Sequence, residues 1–149
     1  MSEVRFYHLT RTSLDSALYG ILEKAVGQGM RTVVDAGSPE RAEQLSAQLW
    51  TVQPSGFLPH GTAKDGMPER QPIYIGENSE NLNGATLLVM LGGQAPPDPE
   101  AFSLCCLVFE DRDADAVVLA RKSWKSLKEA GGFLSYWQQG ENGGWQKTA

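Results

Sequence analysis

The run Leu104-Cys105-Cys106-Leu107-Val108-Phe109 is apolar at six consecutive positions and is followed at once by the charged stretch Glu110-Asp111-Arg112-Asp113. A half-exposed strand alternates apolar and polar residues. An uninterrupted apolar strand is one covered on both faces, as in a parallel sheet with helices above and below. The rest of the chain must then supply further strands beside this one and amphipathic helices on each side.

Those pieces are present. Val4 to Leu9 (VRFYHL) mixes β-branched and aromatic residues and reads as a first strand, followed by the helix-capping stretch Thr10-Arg11-Thr12-Ser13. A helix is predicted from Leu14 to Val26, because Leu14, Leu18, Ile21, Leu22 and Ala25 recur at steps of three, four and seven and form one stripe. Gly27 and Gly29 end it. Arg31 to Ala36 reads as a short buried strand, and Ser38-Pro39 offers a cap and a first helical proline for a second helix running to Trp50. Thr51 to Gln71, rich in Gly, Pro and polar residues, predicts a long irregular connection, a feature that is uncommon in compact domains and often functional. Pro72 to Gly76 and Ala85 to Leu91 read as strands separated by the polar stretch Glu77 to Gly84, and Gly92-Gly93 opens a loop that reaches Glu100. A last helix is predicted from Asp113 to Ala130, closed by Gly131-Gly132. Phe133 to Ala149, with Tyr136, Trp137 and Trp145, reads as an extended segment folding back as a hairpin. Strands of this kind interleaved with amphipathic helices predict an α/β fold, a three-layer sandwich around a mostly parallel, Rossmann-like sheet.

A length of 149 residues, against ~100–200 per domain, predicts one domain over 1–149, with 133–149 as its extended carboxy-terminal segment. The net charge of −5, from 13 Lys plus Arg against 18 Asp plus Glu, opposes a phosphate backbone and argues against direct specific DNA binding. Cys105 and Cys106 are neighbours in a strand and so point to opposite faces, which makes them buried reduced thiols rather than a disulfide. The start MSEVRFYHLT has no basic-then-apolar signal, and no apolar stretch approaches ~18 residues, so a cytoplasmic protein without membrane attachment is expected.

No catalytic, cofactor-binding or metal-ligating residues are assigned. The first strand-to-helix turn, Thr10 to Ser13, lacks the glycines that let a backbone approach phosphate, and no phosphate loop occurs elsewhere. Asp35 ends the second strand where a dinucleotide-binding protein holds ribose, but alone it reads as loop solvation. His8 and His60 have no Cys or Glu at ligand spacing. The Cys105-Cys106 pair lacks the two-residue spacer of a redox dithiol.

Two surfaces remain. In Arg121-Lys122-Ser123-Trp124-Lys125-Ser126-Leu127-Lys128 four of eight residues are basic, and Arg121, Lys125 and Lys128 share a helix face with Trp124 beside it. Cations flanking an aromatic suit an acidic peptide ending in an apolar residue and a free carboxylate. The competing explanation is that the cations complement the helix dipole and Trp124 belongs to the core. At Trp50 and Phe57, with Pro54 and Pro59, aromatics and prolines cluster where a helix gives way to a loop. That suits a rigid docking surface, although Phe57 could equally plug the core.

The start Phe6-Tyr7-His8-Leu9, the pair Leu49-Trp50, the run Phe57-Leu58-Pro59-His60 and the helix Arg121-Lys122-Ser123-Trp124-Lys125, followed by Ala130-Gly131-Gly132-Phe133, resemble the chi subunit family of bacterial DNA polymerase III. The likeness runs in order over nearly the whole chain, and Tyr136-Trp137-Gln138-Gln139 is similar to alphaproteobacterial members. It implies a non-catalytic accessory protein of the clamp-loader assembly, with no cofactor and a Rossmann-like fold lacking the nucleotide site. It implies as partner the acidic carboxy-terminal tail of single-stranded DNA-binding protein, held by residues matching Arg121 and Trp124. It also implies a psi subunit or equivalent clamp-loader partner, or a competing helicase, at the positions matching Trp50 and Phe57. The start of the last helix, Asp113 to Val117, is acidic here, so further tail-binding lysines are not carried over there. The alternative from another class is a degenerate nucleotide-binding α/β enzyme using the sheet crevice.

Overall fold

A computed structural model describes residues 2–52, 58–142 and 144–149. Its elements follow in the order β1 (Glu3–Leu9), α1 (Leu14–Gly27), β2 (Thr32–Asp35), α2 (Pro39–Val52), β3 (Ile73–Gly76), β4 (Leu87–Leu91), β5 (Leu104–Glu110), α3 (Ala114–Glu129), β6 (Phe133–Gln139) and β7 (Trp145–Lys147). The strands form one sheet in the order β3-β2-β4-β5-β1-β6-β7. All pairings from β3 to β6 are parallel, and β7 returns antiparallel to β6. The architecture is the three-layer α/β sandwich that the apolar strands predict.

Each helix starts where a side chain can satisfy its first free N–H groups. Ser13 accepts from Ser16 N–H, Ser38 from Arg41 N–H and Asp113 from Ala116 N–H. The helices then divide the sheet. Leu18 and Leu22 of α1 and Leu45 and Leu49 of α2 cover one face together with Val34, Ile75, Cys106 and Val108. On the other face, Ala116 and Ala120 of α3 lie over Phe6, Val33, Leu88, Cys105, Leu107 and Phe109. Period two along β5 therefore sends Cys105 and Cys106 to opposite layers. Full burial of a side chain such as Phe6 or Leu107 contributes roughly 2–3 kcal/mol.

Two of the connections are built as well as ordered. Gly93 has a φ of 82°, and a Cβ placed on it would lie 2.6 Å from the Ala116 carbonyl oxygen. Beyond marking a turn, it thus lets the β4–β5 loop touch α3, where Ser123 Oγ donates to the Gly93 carbonyl at 2.8 Å. In the long connection after α2, His60 is buried with its ring nitrogens facing the Leu58 and Ser46 carbonyls at 2.7 and 3.1 Å. Gly61 then pairs with the outer edge of β3 opposite Tyr74. This strap lies along both α2 and β3.

Candidate functional site

The inward stripe of α3 is small at Ala116, Ala120 and Ser123, so the helix lies close to the sheet and its long side chains emerge at the flanks. Arg121, Lys122, Lys125 and Lys128 are all exposed. Among the described residues none of the four forms an ion pair. Trp124 is partly buried, with its ring edge-on to Phe6 at 5.3 Å and to Tyr136 at 5.7 Å, while Phe6 and Tyr136 stack at 5.9 Å. The ring is thus anchored in the core, and its helix neighbours one turn away are Arg121 and Lys128.

Tyr136 is the residue that spacing along α3 does not reveal. Its hydroxyl lies 2.9 Å from His8 Nδ1, Gln138 Nε2 approaches the same nitrogen at 3.1 Å, and His8 Nε2 lies 2.8 Å from Asp111 Oδ1. A carboxylate only accepts, so Nε2 carries the imidazole hydrogen, and Nδ1 accepts from the phenol and the amide. Burial pushes the Tyr136 phenol up, and the positive charge of Arg121 acts against that, which brings the guanidinium's field to the hydroxyl. The line from Asp111 through His8 to Tyr136 has the spacing of a proton relay. What the cluster supplies is a rigid aromatic wall beside uncommitted cations, able to hold carboxylates and an apolar side chain together.

The crevice outside the carboxyl ends of β1 and β5, where the chain leaves toward opposite faces, is where an open α/β sheet takes its ligand. A pocket of about 300 Å³ lies there, lined by Thr10 to Ser13 and Glu110 to Arg112, and the loop after β1 that walls it is fastened from the β6 side. The N–H groups of Thr10, Arg11 and Thr12 all donate to Gln139 Oε1, at 3.1, 2.8 and 3.2 Å, and Gln139 Nε2 donates to Thr12 Oγ1 at 2.9 Å. Asp35 accepts from Gly37 N–H at 3.0 Å, and burial pushes its carboxyl up, a bond from Gly37 opposing. It shapes the turn into α2, as expected of a loop carboxylate. Burial pushes both Cys105 and Cys106 thiols up to about 12, as suits packing rather than redox chemistry. Among the described residues no group of three His, Cys, Asp or Glu side chains is placed to hold a metal ion. No helix of the described residues is long and apolar enough to cross a membrane.

The second surface sits at the end of α2. Trp50 is 49% exposed, with its ring 4.2 Å from that of buried His60. Phe57, its expected companion, lies outside the described residues.

A protein-family model described as DNA polymerase III chi subunit, HolC, matches residues 1–135. The chain belongs to that family. A probable DNA polymerase III subunit chi of Rickettsia prowazekii (strain Madrid E) is 31% identical over 91 residues, which is 61% of this chain and 55% of the Rickettsia protein. The chain thus spans only about half the length of that relative. The DNA polymerase III subunit chi of Haemophilus influenzae (strain ATCC 51907 / DSM 11121 / KW20 / Rd) is 26% identical over 108 residues, 72% of this chain and 74% of that protein. The chi-family match includes Trp50, Phe57, Arg121, Trp124, Lys125 and Lys128. It ends inside β6, so Tyr136, which packs against Trp124, and Gln139, which fastens the loop after β1, fall just beyond it.

Proposed function

We propose that this chain is a non-catalytic accessory subunit working in the cytoplasm, which links the clamp loader to single-stranded DNA-binding protein by receiving that protein's acidic carboxy-terminal tail on α3. Arg121 holds the terminal carboxylate through its fork of donors, Lys125 and Lys128 act as less directional charges, and Trp124 offers the apolar wall. What carries the reading is the set of four exposed cations, with no ion pair among the described residues, beside an aromatic ring clamped by Phe6 and Tyr136, in a chain of net charge −5. The same reading gives Trp50, with Phe57, to the loader-side partner: a psi subunit or its equivalent, or a helicase competing for that surface.

The test is titration of a fluorescently labelled acidic tail peptide, with circular dichroism to confirm folding. Arg121→Ala is expected to cost about 2 kcal/mol, roughly thirty-fold in affinity, and Lys125→Ala or Lys128→Ala less. Affinity should fall as salt rises, because exposed charges are screened. Trp50→Ala should leave the tail affinity as it is. Unchanged affinity in folded Arg121→Ala would return the stripe to the role of complementing the dipole of α3.

A further inference from the structure

A groove of about 340 Å³ opens between the first half of α2 and the carboxyl end of β3, the edge strand of the sheet. Pro39, Ala42, Ala63 and Ile75 give it an apolar floor and walls. Its charges are mostly negative: Glu40, Glu43 and Glu77 line it against a single ammonium, that of Lys64. The positive end of α2 is equivalent to only about half a charge, so the groove stays negative.

Two further observations point to a ligand. Tyr74 lines the groove with its ring largely covered, and its hydroxyl makes no hydrogen bond among the described residues and stays open to solvent, where an incoming group can bond it. Its phenol is raised by burial first and then by the charges of Glu77 and Glu80, in the loop after β3, and of Glu43 on α2. The other is the strand edge. Gly61 takes the Ile73 carbonyl and the Ile75 N–H, but its neighbours turn away into a short helical turn at Ala63–Asp65. The next outward groups of that edge, the Ile75 carbonyl and the Glu77 N–H, meet no partner among the described residues. An open step of strand edge beside an apolar groove is what an extended peptide uses.

We propose that this groove binds an extended peptide segment of a partner protein carrying an apolar anchor flanked by Lys or Arg. Charge selects the occupant: an acidic tail is repelled here and attracted to α3, so the two surfaces accept opposite kinds of segment. The groove adjoins the strap on which His60 meets Trp50, so assigning the segment to the loader-side partner rests on the reading given above. The binding itself does not depend on it.

The probes are two blocked hexapeptides with a Leu-Phe centre, one flanked by arginines and the other by glutamates, titrated into 15N-labelled protein at low salt. The arginine peptide is expected to shift the amides of Lys64, Gly76 and Glu77, and the glutamate peptide to leave them in place. Ala63 is exposed, so Ala63→Trp fills the mouth without entering the core and should weaken the arginine peptide at least ten-fold. The pair Glu43→Gln and Glu77→Gln should weaken it several-fold, as should Tyr74→Phe, and Arg121→Ala should not. Equal response to the two peptides, no response at millimolar concentration, shifts that map elsewhere, or a dimer of this chain lost in Ala63→Trp would each overturn the proposal. An acidic tail peptide titrated into the same samples reads α3. Tail binding kept while groove binding is absent overturns this inference alone, and the reverse overturns the tail reading alone.

Discussion

Replacing Gln139 by Ala removes four hydrogen bonds at once, three received from the N–H groups of Thr10, Arg11 and Thr12 and one given to Thr12 Oγ1. These groups are near solvent, so water takes over the freed donors and each bond counts at the low end of its net range. Four such bonds sum to about 2 kcal/mol. For a chain of about 150 residues that corresponds to a fall of about 4–8 °C in melting temperature. Thermal and urea unfolding followed by circular dichroism measure the loss, and hydrogen exchange locates it, because the amides of residues 10–12 should exchange faster. Gln139→Glu separates lost bonds from lost packing: the carboxylate still accepts from three N–H groups, and the Thr12 hydroxyl can turn to donate. Those donors hold the new carboxyl below the ordinary Glu value of about 4.3. Its contribution is therefore fully present at neutral pH and disappears as pH falls through the folded pKa. A Gln139→Ala variant that melts within about 1 °C of the parent, with residues 10–12 equally protected, would refute the claim that this side chain fastens the loop after β1 to β6.

Gly93→Ala should cost about 2 kcal/mol in chemical denaturation, since it combines a left-handed φ of 82° with a Cβ 2.6 Å from the Ala116 carbonyl oxygen. Cys105 and Cys106, buried with thiols pushed up to about 12, should not react with an aromatic disulfide reagent at pH 8 and should both react in denaturant. Adenine and guanine nucleotides should neither raise the melting temperature nor be hydrolysed, because the loop that would meet their phosphates already donates to Gln139. Hydrolysis that survives purification and is lost on changing Asp35 would favour the enzyme alternative.

Periodicity announces local structure well in this chain. The apolar run 104–109, the stripes of α1 and α3 and the Ser38-Pro39 start all appear as elements, because each depends on neighbours within a few residues. Sheet order does not follow from the same signals. A strand apolar on both faces is marked as interior, yet nothing in Val4 to Leu9 says that its neighbours are β5 and β6. The α3 surface divides the same way. Arg121, Lys125 and Lys128 are legible from steps of four and three, whereas Tyr136, His8 and Asp111 meet across separations of 128 and 103 residues. Gln139 is opaque for the same reason: one polar residue in a tail of polar residues acquires meaning only when a loop far away in sequence presents three donors to it.

The placement of β1 between β5 and β6 also has a history in time. Glu3 is registered against Leu104 and Phe133, so β1 leaves the ribosome roughly 100 residues ahead of either neighbour. At ~5–20 residues per second, that interval is roughly 5–20 s. Throughout it Phe6, wholly buried in the finished protein, has no sheet to enter, while β2, β3 and β4 can already pair with one another. A nascent chain halted before residue 104 therefore carries a half-built sheet and an unseated apolar β1, a form suited to chaperones and proteases. β1 is made before both of the strands it pairs with and is seated only when they arrive.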